Sequence, residues 1–413
     1  MKVVYGIKDR FISIVRLFFD KATDRSDYVS PVSMICLMAI GVLAIRSAEN
    51  GSFVLAKMQI IWIIIGLLVY TFISCVDYNI LMRNAHWIYG GCIILLLSLW
   101  TPLGARRFGS LRWINVGILL QPSEPAKIGT LIMMASLLAR SNVGRVKYSL
   151  ITLVKAGLIL ALPTLLIVLQ PDLGSSLTFF PMAFSLLFIS NLSIRFFISI
   201  FCSILFVIAL VAADAYSYHI FLDSNKLNPY EAIGKYESRS ILPLKDYQRN
   251  RIISFVAPDV VDPKGVGISW NLRQSLIAVG SGGLWGKGCG NGTQAKLGYL
   301  PRSVASNDFI FSVLAEEYGF MGGLIILILY VVLIGNGFRI ASRSRDRFGM
   351  LLSVGASVIL LVHVLINVGM TIGLMPITGI PLPFISYGGS FMLVCSILQG
   401  IVQSVFRFRK SYD

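Results

Sequence analysis

Residues 323–335 read GLIILILYVVLIG, without a single charge. Comparable runs recur along the chain, roughly at 31–48, 56–76, 85–101, 123–140, 148–170, 173–190, 195–214, 308–335, 349–370 and 385–406. Hydrocarbon offers no partner to a backbone N–H or C=O, so such a run crosses a bilayer as α-helix and needs about 20 apolar residues. The sequence therefore predicts an all-α integral membrane protein of about ten transmembrane helices. The composition agrees: 56% of the 413 residues are hydrophobic and 14% charged, against about 25% charged in a soluble domain.

Ten spans put both termini on one side, and the basic residues choose it. With both ends cytoplasmic, the inside segments hold Lys2, Lys8, Arg10, Arg16, Lys21, Arg25, Arg83, Arg140, Arg145, Lys147, Arg195, Arg339, Arg343, Arg345, Arg347, Arg407, Arg409 and Lys410. The short outside loops hold only Arg106, Arg107 and Arg112. The formal charge of +16 is thus explained by topology, and no nucleic-acid partner is expected. Residues 1–30 read as a cytoplasmic basic segment without a cleavage site, and 31–413 as one polytopic domain. Its loop at 215–307, between helices 7 and 8, faces the outside. That loop is glycine-rich (AVGSGGLWGKGCGNGTQ) and holds an amphipathic helix near 270–280, expected to lie on the membrane surface.

Five of the six cysteines lie in or beside apolar runs, and Cys289 alone sits in a polar loop. No CxxC pair is present, and His86, His219 and His363 are scattered, so no protein-built metal cage is expected.

Polar residues inside spans carry the functional information. In LLQPSEPAK, Ser123 reads as a helix cap, and Glu124 and Lys127, three apart, share a face and can pair. This is either a neutralised pair at a helix start or the wall of an outer cavity. In QPDLGSS, Asp172 reads as a turn cap or a site residue. NVGMTIGLMPITGIPLPFISYGGS, with Pro376, Pro381 and Pro383, cannot be a straight lipid-facing helix. It is either a hinge or broken backbone lining a wet cavity. In SNDFIFSVLAEEYGF, Asp308 reads as a cap or as a reactive carboxylate at the interface. Glu316 and Glu317, about 12–14 Å further along at 1.5 Å per residue, must be protonated or paired within the bundle.

Taken in order, these motifs, with GSGGLWGKGCGNGTQ and RWINVGILLQPSEPAK, resemble the shape, elongation, division and sporulation family of bacterial cell-wall polymerases, in particular its elongation branch. The resemblance covers nearly the whole chain after about residue 30. It implies a peptidoglycan glycosyltransferase of the bacterial cytoplasmic membrane. The implied substrate is lipid II, and the implied partners are a class B penicillin-binding protein and the elongation machinery. The family's catalytic aspartate falls on Asp308. The family usually reads His-Thr before that aspartate. Here Ser306 and Asn307 stand there, and the connection from Leu300-Pro301 is two residues longer.

The implied chemistry is attack of a sugar hydroxyl on an anomeric carbon, with inversion and loss of a pyrophosphate. Asp308 takes the role of general base. Arg112 and Lys127 are candidate cations for the leaving group, with Arg249, Arg251 and Lys287 behind them. Glu124 orients Lys127, and Asp172 and Ser386 complete the expected substrate site. A divalent cation, Mg or Mn, is expected to rest mainly on the substrate pyrophosphate. A lipid flippase is the alternative, since broken helices and buried charges also mark transporters.

Overall fold

The structure, a computed structural model, describes residues 26–409 except 108–109, 116–118, 142–145, 171, 191, 193, 226–233, 237–239, 241, 243, 245, 257–261, 263–266 and 268. The basic segment 1–25, Arg145, Asp259 and Lys410 therefore lie outside the described residues, as do the side chains of Arg106, Arg107, Lys147 and Arg251.

The chain is mostly helical. In order come α1 (Val29–Ala48), α2 (Val54–Cys75), α3 (Asn79–Arg83) and α4 (Ala85–Leu97). Strands β1 (Gly104–Arg107), β2 (Ser110–Asn115) and β3 (Leu119–Leu120) follow. Then come α5 (Ser123–Arg140), α6 (Val146–Leu169), α7 (Leu173–Leu177), α8 (Phe179–Ile189), α9 (Ile194–Ser224) and α10 (Asp246–Val256). The last part holds α11 (Trp270–Ser281), α12 (Thr293–Lys296), α13 (Arg302–Ala305), α14 (Ile310–Ser342), α15 (Arg347–Thr371) and α16 (Gly389–Arg407).

Seven described helices are long and apolar enough to cross a membrane: α1, α2, α6, α9, α14, α15 and α16. Apolar helices at Ala85–Trp100 and Gly174–Ile189 are shorter, and α5 is the remaining helix at an expected span. The chain is a multi-pass membrane protein.

Two features depart from the expected all-α plan. β1, β2 and β3 form an antiparallel sheet in that order, with Ala105 opposite Trp113 and Ile114 opposite Leu120. The signal was present in SLRWIN, where Leu111 and Trp113 alternate with polar residues at the strand period. The seventh expected span also runs on to Ser224 instead of ending at 214. Its last turns pack Tyr218 and Leu222 against Tyr236 and Ile253, which keeps them helical beyond the apolar run.

α15 is the central pillar and is buried on nearly every face. It packs against α14, α8, α16, α5 and α11. Small residues allow the close approach: a Cβ on Gly355 would come within 2.1 Å of Leu131. At the end of the bundle carrying the basic loops, Asp346 caps α15 through the Gly349 N–H (2.7 Å) and accepts from the Tyr78 hydroxyl (3.0 Å). Burial and the Asp346 carboxylate push the Tyr78 phenol well above its usual range. Asp27 joins Arg339 (2.6 Å) and Asn336 (2.5 Å) at the same end.

α14 is two helices in one. Gly319 adopts φ 64° and ψ −163°, a region open essentially only to glycine. The break is filled by the glycine-rich loop. Phe320 and Met321 donate their N–H groups to the carbonyls of Gly283 (2.8 Å) and Leu284 (3.1 Å). In return, Lys287 and Gly288 donate to the carbonyls of Glu316 (3.0 Å) and Glu317 (2.9 Å). Every backbone group that the break frees at these positions finds a loop partner, as a buried break requires. α11 is the amphipathic helix expected near 270–280. It docks on α14 and α15 through buried Gln274, Ser275 and Ala278, with the Ser275 hydroxyl bonded to Thr371 O (2.7 Å).

Candidate active site

The segment 372–388, between α15 and α16, is the hub on which the sequence motifs converge. It is not helical, yet its backbone is held from all sides. Asn367 donates to the Ile380 carbonyl (2.7 Å) and to the Asp308 carbonyl (2.9 Å). Tyr330 donates to the Pro383 carbonyl (2.5 Å), and Gln59 to the Ser386 carbonyl (3.2 Å). On the α1 side, Gly41 lets the backbone of Ile385 approach: a Cβ there would meet it at 2.8 Å. Phe384 sits at φ 65°, a strained conformation for a bulky residue that costs about 1–3 kcal/mol and persists only under such constraint.

Asp308 lies at the rim of this hub and is half-buried. α14 begins at Ile310, so Phe309 and not Asp308 holds its cap position. The reason is upstream: α13 and the bond from Phe309 N–H to Val304 O (3.0 Å) shape the entry instead. The Asp308 carboxylate points toward Gly379, where an added Cβ would lie 3.4 Å from Oδ2. The glycine thus leaves the space beside the carboxylate open.

Glu124 and Lys127 form the expected pair, with Lys127 Nζ 2.7 Å from Glu124 Oε1, and both side chains are buried. A third partner escaped the sequence reading. Lys127 Nζ also lies 2.9 Å from His363 Nε2, and His363 Nδ1 lies 3.3 Å from the Pro381 carbonyl. With the ammonium donating to Nε2, the ring proton sits on Nδ1 and faces that carbonyl. Pro381 is two residues from Gly379, so the triad and Asp308 grip neighbouring points of one segment. Ser123 does not cap α5. Pro122 holds that position, and the Ser123 hydroxyl instead meets the Ser175 hydroxyl at 3.4 Å.

Asp172 is the expected cap. It accepts from Ser175 N–H (3.3 Å) and the Ser175 hydroxyl (2.8 Å), and also from Gln121 (2.9 Å). Arg112 on β2 stands 3.8 Å from it and remains partly exposed. Two residues on, Gly174 brings α7 against the hub, since a Cβ there would meet Thr378 O at 2.5 Å. The hairpin, α5, α7 and the hub are therefore one assembly.

The other candidates have different surroundings. Ser386 is buried, donating to Asn307 O (2.6 Å) and accepting from Leu382 N–H (2.8 Å), so it pins the Asp308 entry to the hub. Arg249 is fully buried and is bound by Asp214 (2.7 Å), Asp246 (3.0 Å) and two loop carbonyls, a knot joining α9 to α10. Arg251 lies on α10, its side chain outside the described residues. Lys287 reaches into the α14 break, 2.6 Å from Glu316 Oε1. Glu316 also accepts from Thr293 N–H (2.8 Å) and the Thr293 hydroxyl (2.7 Å). Glu317 accepts from the Ser47 hydroxyl and from the backbone of Gly290 and Gly292. These two carboxylates are therefore the anchorage of the glycine-rich loop. His363 and Asn367 are the residues that sequence reasoning did not place in the site. Their four-residue spacing on one face of α15, aimed at a proline-rich segment, was the available signal.

The comparisons agree with this architecture. The family model for cell cycle proteins of the FtsW, RodA and SpoVE type matches residues 29–411. The chain is 36% identical over 400 residues to the peptidoglycan glycosyltransferase MrdB of Escherichia coli K12, covering 96% of each protein. It is 33% identical over 429 residues to the peptidoglycan glycosyltransferase RodA of Treponema pallidum, covering 92% of this chain and 97% of that one. A solved structure described as "Structural coordination of polymerization and crosslinking by a peptidoglycan synthase complex" superposes with a TM-score of 0.72 at 26% identity, covering 93% and 99% of the two chains. The rod shape determining protein RodA of Thermus thermophilus shares the fold, with a TM-score of 0.61 at 24% identity over 93% of this chain and 98% of that one. With a family match over almost the entire length and relatives above 30% identity, this chain belongs to the FtsW, RodA and SpoVE family of cell cycle proteins.

Proposed function

We propose that the chain is a peptidoglycan glycosyltransferase that polymerises lipid II into glycan strands during elongation, with Asp308 as its general base. The observation that carries the assignment of Asp308 is its position: a half-buried carboxylate at the rim of the hub, directed at Gly379. The acceptor hydroxyl gives its proton to Asp308 while its oxygen bonds to the donor's anomeric carbon. The bond from that carbon to the pyrophosphate oxygen breaks, and the lipid pyrophosphate leaves with the electron pair. One displacement inverts the anomeric centre.

The cations divide the remaining work. Lys127 is enclosed by Glu124 and His363, so it acts by its field and by fixing the hub through Pro381. Arg112, partly exposed beside Asp172, is the side chain placed to meet the leaving pyrophosphate. Developing negative charge is stabilised most by such fixed donors. Arg249 and Lys287 serve the loop and not the leaving group. Among the described residues no three His, Cys, Asp or Glu side chains group to hold a metal. Mg carried on a pyrophosphate needs only one or two carboxylates, and Asp308 is the carboxylate at the hub that would share it. Such an ion would supply charge neutralisation on the leaving group.

The helices at all ten expected positions are read as spans, with both termini in the cytoplasm and the Asp308 end facing outward. This places the reaction at the outer leaflet of the bacterial cytoplasmic membrane. A class B penicillin-binding protein that cross-links the product is the corresponding partner. The test is polymerisation of lipid II by the purified protein. Transfer of labelled lipid across a bilayer without polymer would instead establish a flippase.

A further inference from the structure

A cavity of about 660 Å³ lies at the end of the bundle opposite Asp308, between α4, α5 and α6. The catalytic reading makes no use of it. α5 links the two regions. It begins at Ser123 beside Asp172 and ends at Arg140 on the cavity wall, about 25 Å away at 1.5 Å per residue.

Three observations give the cavity its chemistry. The first is Lys155. It lies inside the apolar span Tyr148–Leu169, about 10 Å from its start. Among the described residues it has no ion pair. An ammonium at that depth is costly and marks a site by default. The second is a pair of hydroxyl residues, Ser136 (2% exposed) and Thr152 (7% exposed), which line the cavity and make no hydrogen bond among the described residues. The third is the distribution of polarity. Arg140 spends one N–H on the Met82 carbonyl (3.0 Å) and keeps the rest of its fork available, with His86 beside it. Met133, Leu137 and Ile151 give the wall an apolar side, with Ser141 and Tyr148 at the rim, and Ile151 is open to the lipid side.

We propose that this cavity binds the phosphodiester headgroup of an anionic phospholipid of the cytoplasmic leaflet. Arg140 and Lys155 take the phosphate, Ser136 and Thr152 donate to its oxygens, and the acyl chains leave along Met133, Leu137 and Ile151. The volume falls within the range of about 300–1,000 Å³ typical of small-ligand sites. Basic pockets between helices at this depth suit lipid headgroups. A zwitterionic headgroup is disfavoured, because its own cation would face Arg140 and Lys155.

The experiment uses the full-length protein in mixed phosphatidylglycerol and phosphatidylcholine nanodiscs, released into detergent, with retained lipid counted by native mass spectrometry. Wild type should retain phosphatidylglycerol selectively. Arg140→Gln/Lys155→Gln should lose that preference by roughly tenfold to thirtyfold, at about fivefold per surface cation. Ser136→Ala/Thr152→Val, which keeps the shape of the wall, should reduce it several-fold, and it decides the matter if the first variant fails to fold. Equal retention of the two lipids by wild type overturns the proposal, as does unchanged preference in a folded variant. Soluble glycerol phosphate is the second arm. Displacement of the lipid by it at equal concentration would assign the cavity to free phosphate esters and overturn the lipid assignment.

Discussion

Asp308 and the buried triad set the predictions at the residue scale. Asp308→Asn should leave the protein folded, because asparagine keeps the size of the side chain and can cap as aspartate does, and the backbone carbonyl still receives Asn367. Polymerisation of lipid II should fall about 10²–10⁴-fold, since an amide cannot take the acceptor proton. A near wild-type rate would move the base elsewhere, first to Asp262, which is buried and bonded to Ser269 (2.7 Å). Glu124→Gln and Lys127→Met should each cost about 3–5 kcal/mol of stability, as breaking a buried pair does. The double variant should cost less than the sum, measured as unfolding in detergent. Strict additivity would contradict the pair. The i,i+3 spacing made this pair legible in advance, and the Pro-Asp-x-Gly pattern did the same for Asp172. His363 was not legible as its third member. Its partner lies 236 residues away in sequence, and no local rule carries that distance.

The break in α14 and the hub after α15 matter most at the element scale. Gly319→Ala should destabilise the outer half of the protein. The residue holds a conformation closed to alanine, and the new Cβ would fall 2.4 Å from Gly286 N. Strain alone costs about 1–3 kcal/mol, and the clash adds displacement of the loop. The expected signature is faster amide exchange in residues 282–292, with α15 unchanged. Exchange that stays slow in that loop would show that the break does not depend on glycine. The sequence showed glycines in the loop and carboxylates in the helix, but not that they meet. Glu316 reads as a depth problem only while its loop partners Lys287 and Thr293 are unseen. The proline-rich segment was legible as broken backbone. Its grip on Asp308 through Asn367 and Ser386 was not, because those bonds run to main-chain carbonyls that carry no residue signature.

For the whole molecule, the apolar runs gave helix positions closely, because lipid forces the period and the length. The sheet pairs residues close in sequence, and its alternation in SLRWIN was legible, whereas the last turns of α9 rest on Tyr236 and Ile253, contacts that no local pattern announces. Orientation is tested with native Cys289, which is exposed in the glycine-rich loop. A membrane-impermeant thiol reagent should label it from outside, in cells whose outer layer is permeable. Cys289→Ser/Ser342→Cys, with the new thiol at the exposed end of α14, should react only after the membrane is opened. The reverse pattern would invert the topology and move Asp308 to the cytoplasmic side.

The glycine break has a further consequence for how the protein is made. From Phe320 to Phe338 the chain carries no charge and continues as helix, close to the ~20 residues a span requires. The insertion machinery can therefore release this stretch sideways into lipid as an ordinary segment, with Glu316 and Glu317 left on its watery flank. Neither carboxylate has to be drawn through hydrocarbon. Lys287 and Ser47 then find them afterwards, at the stage when already inserted helices assemble.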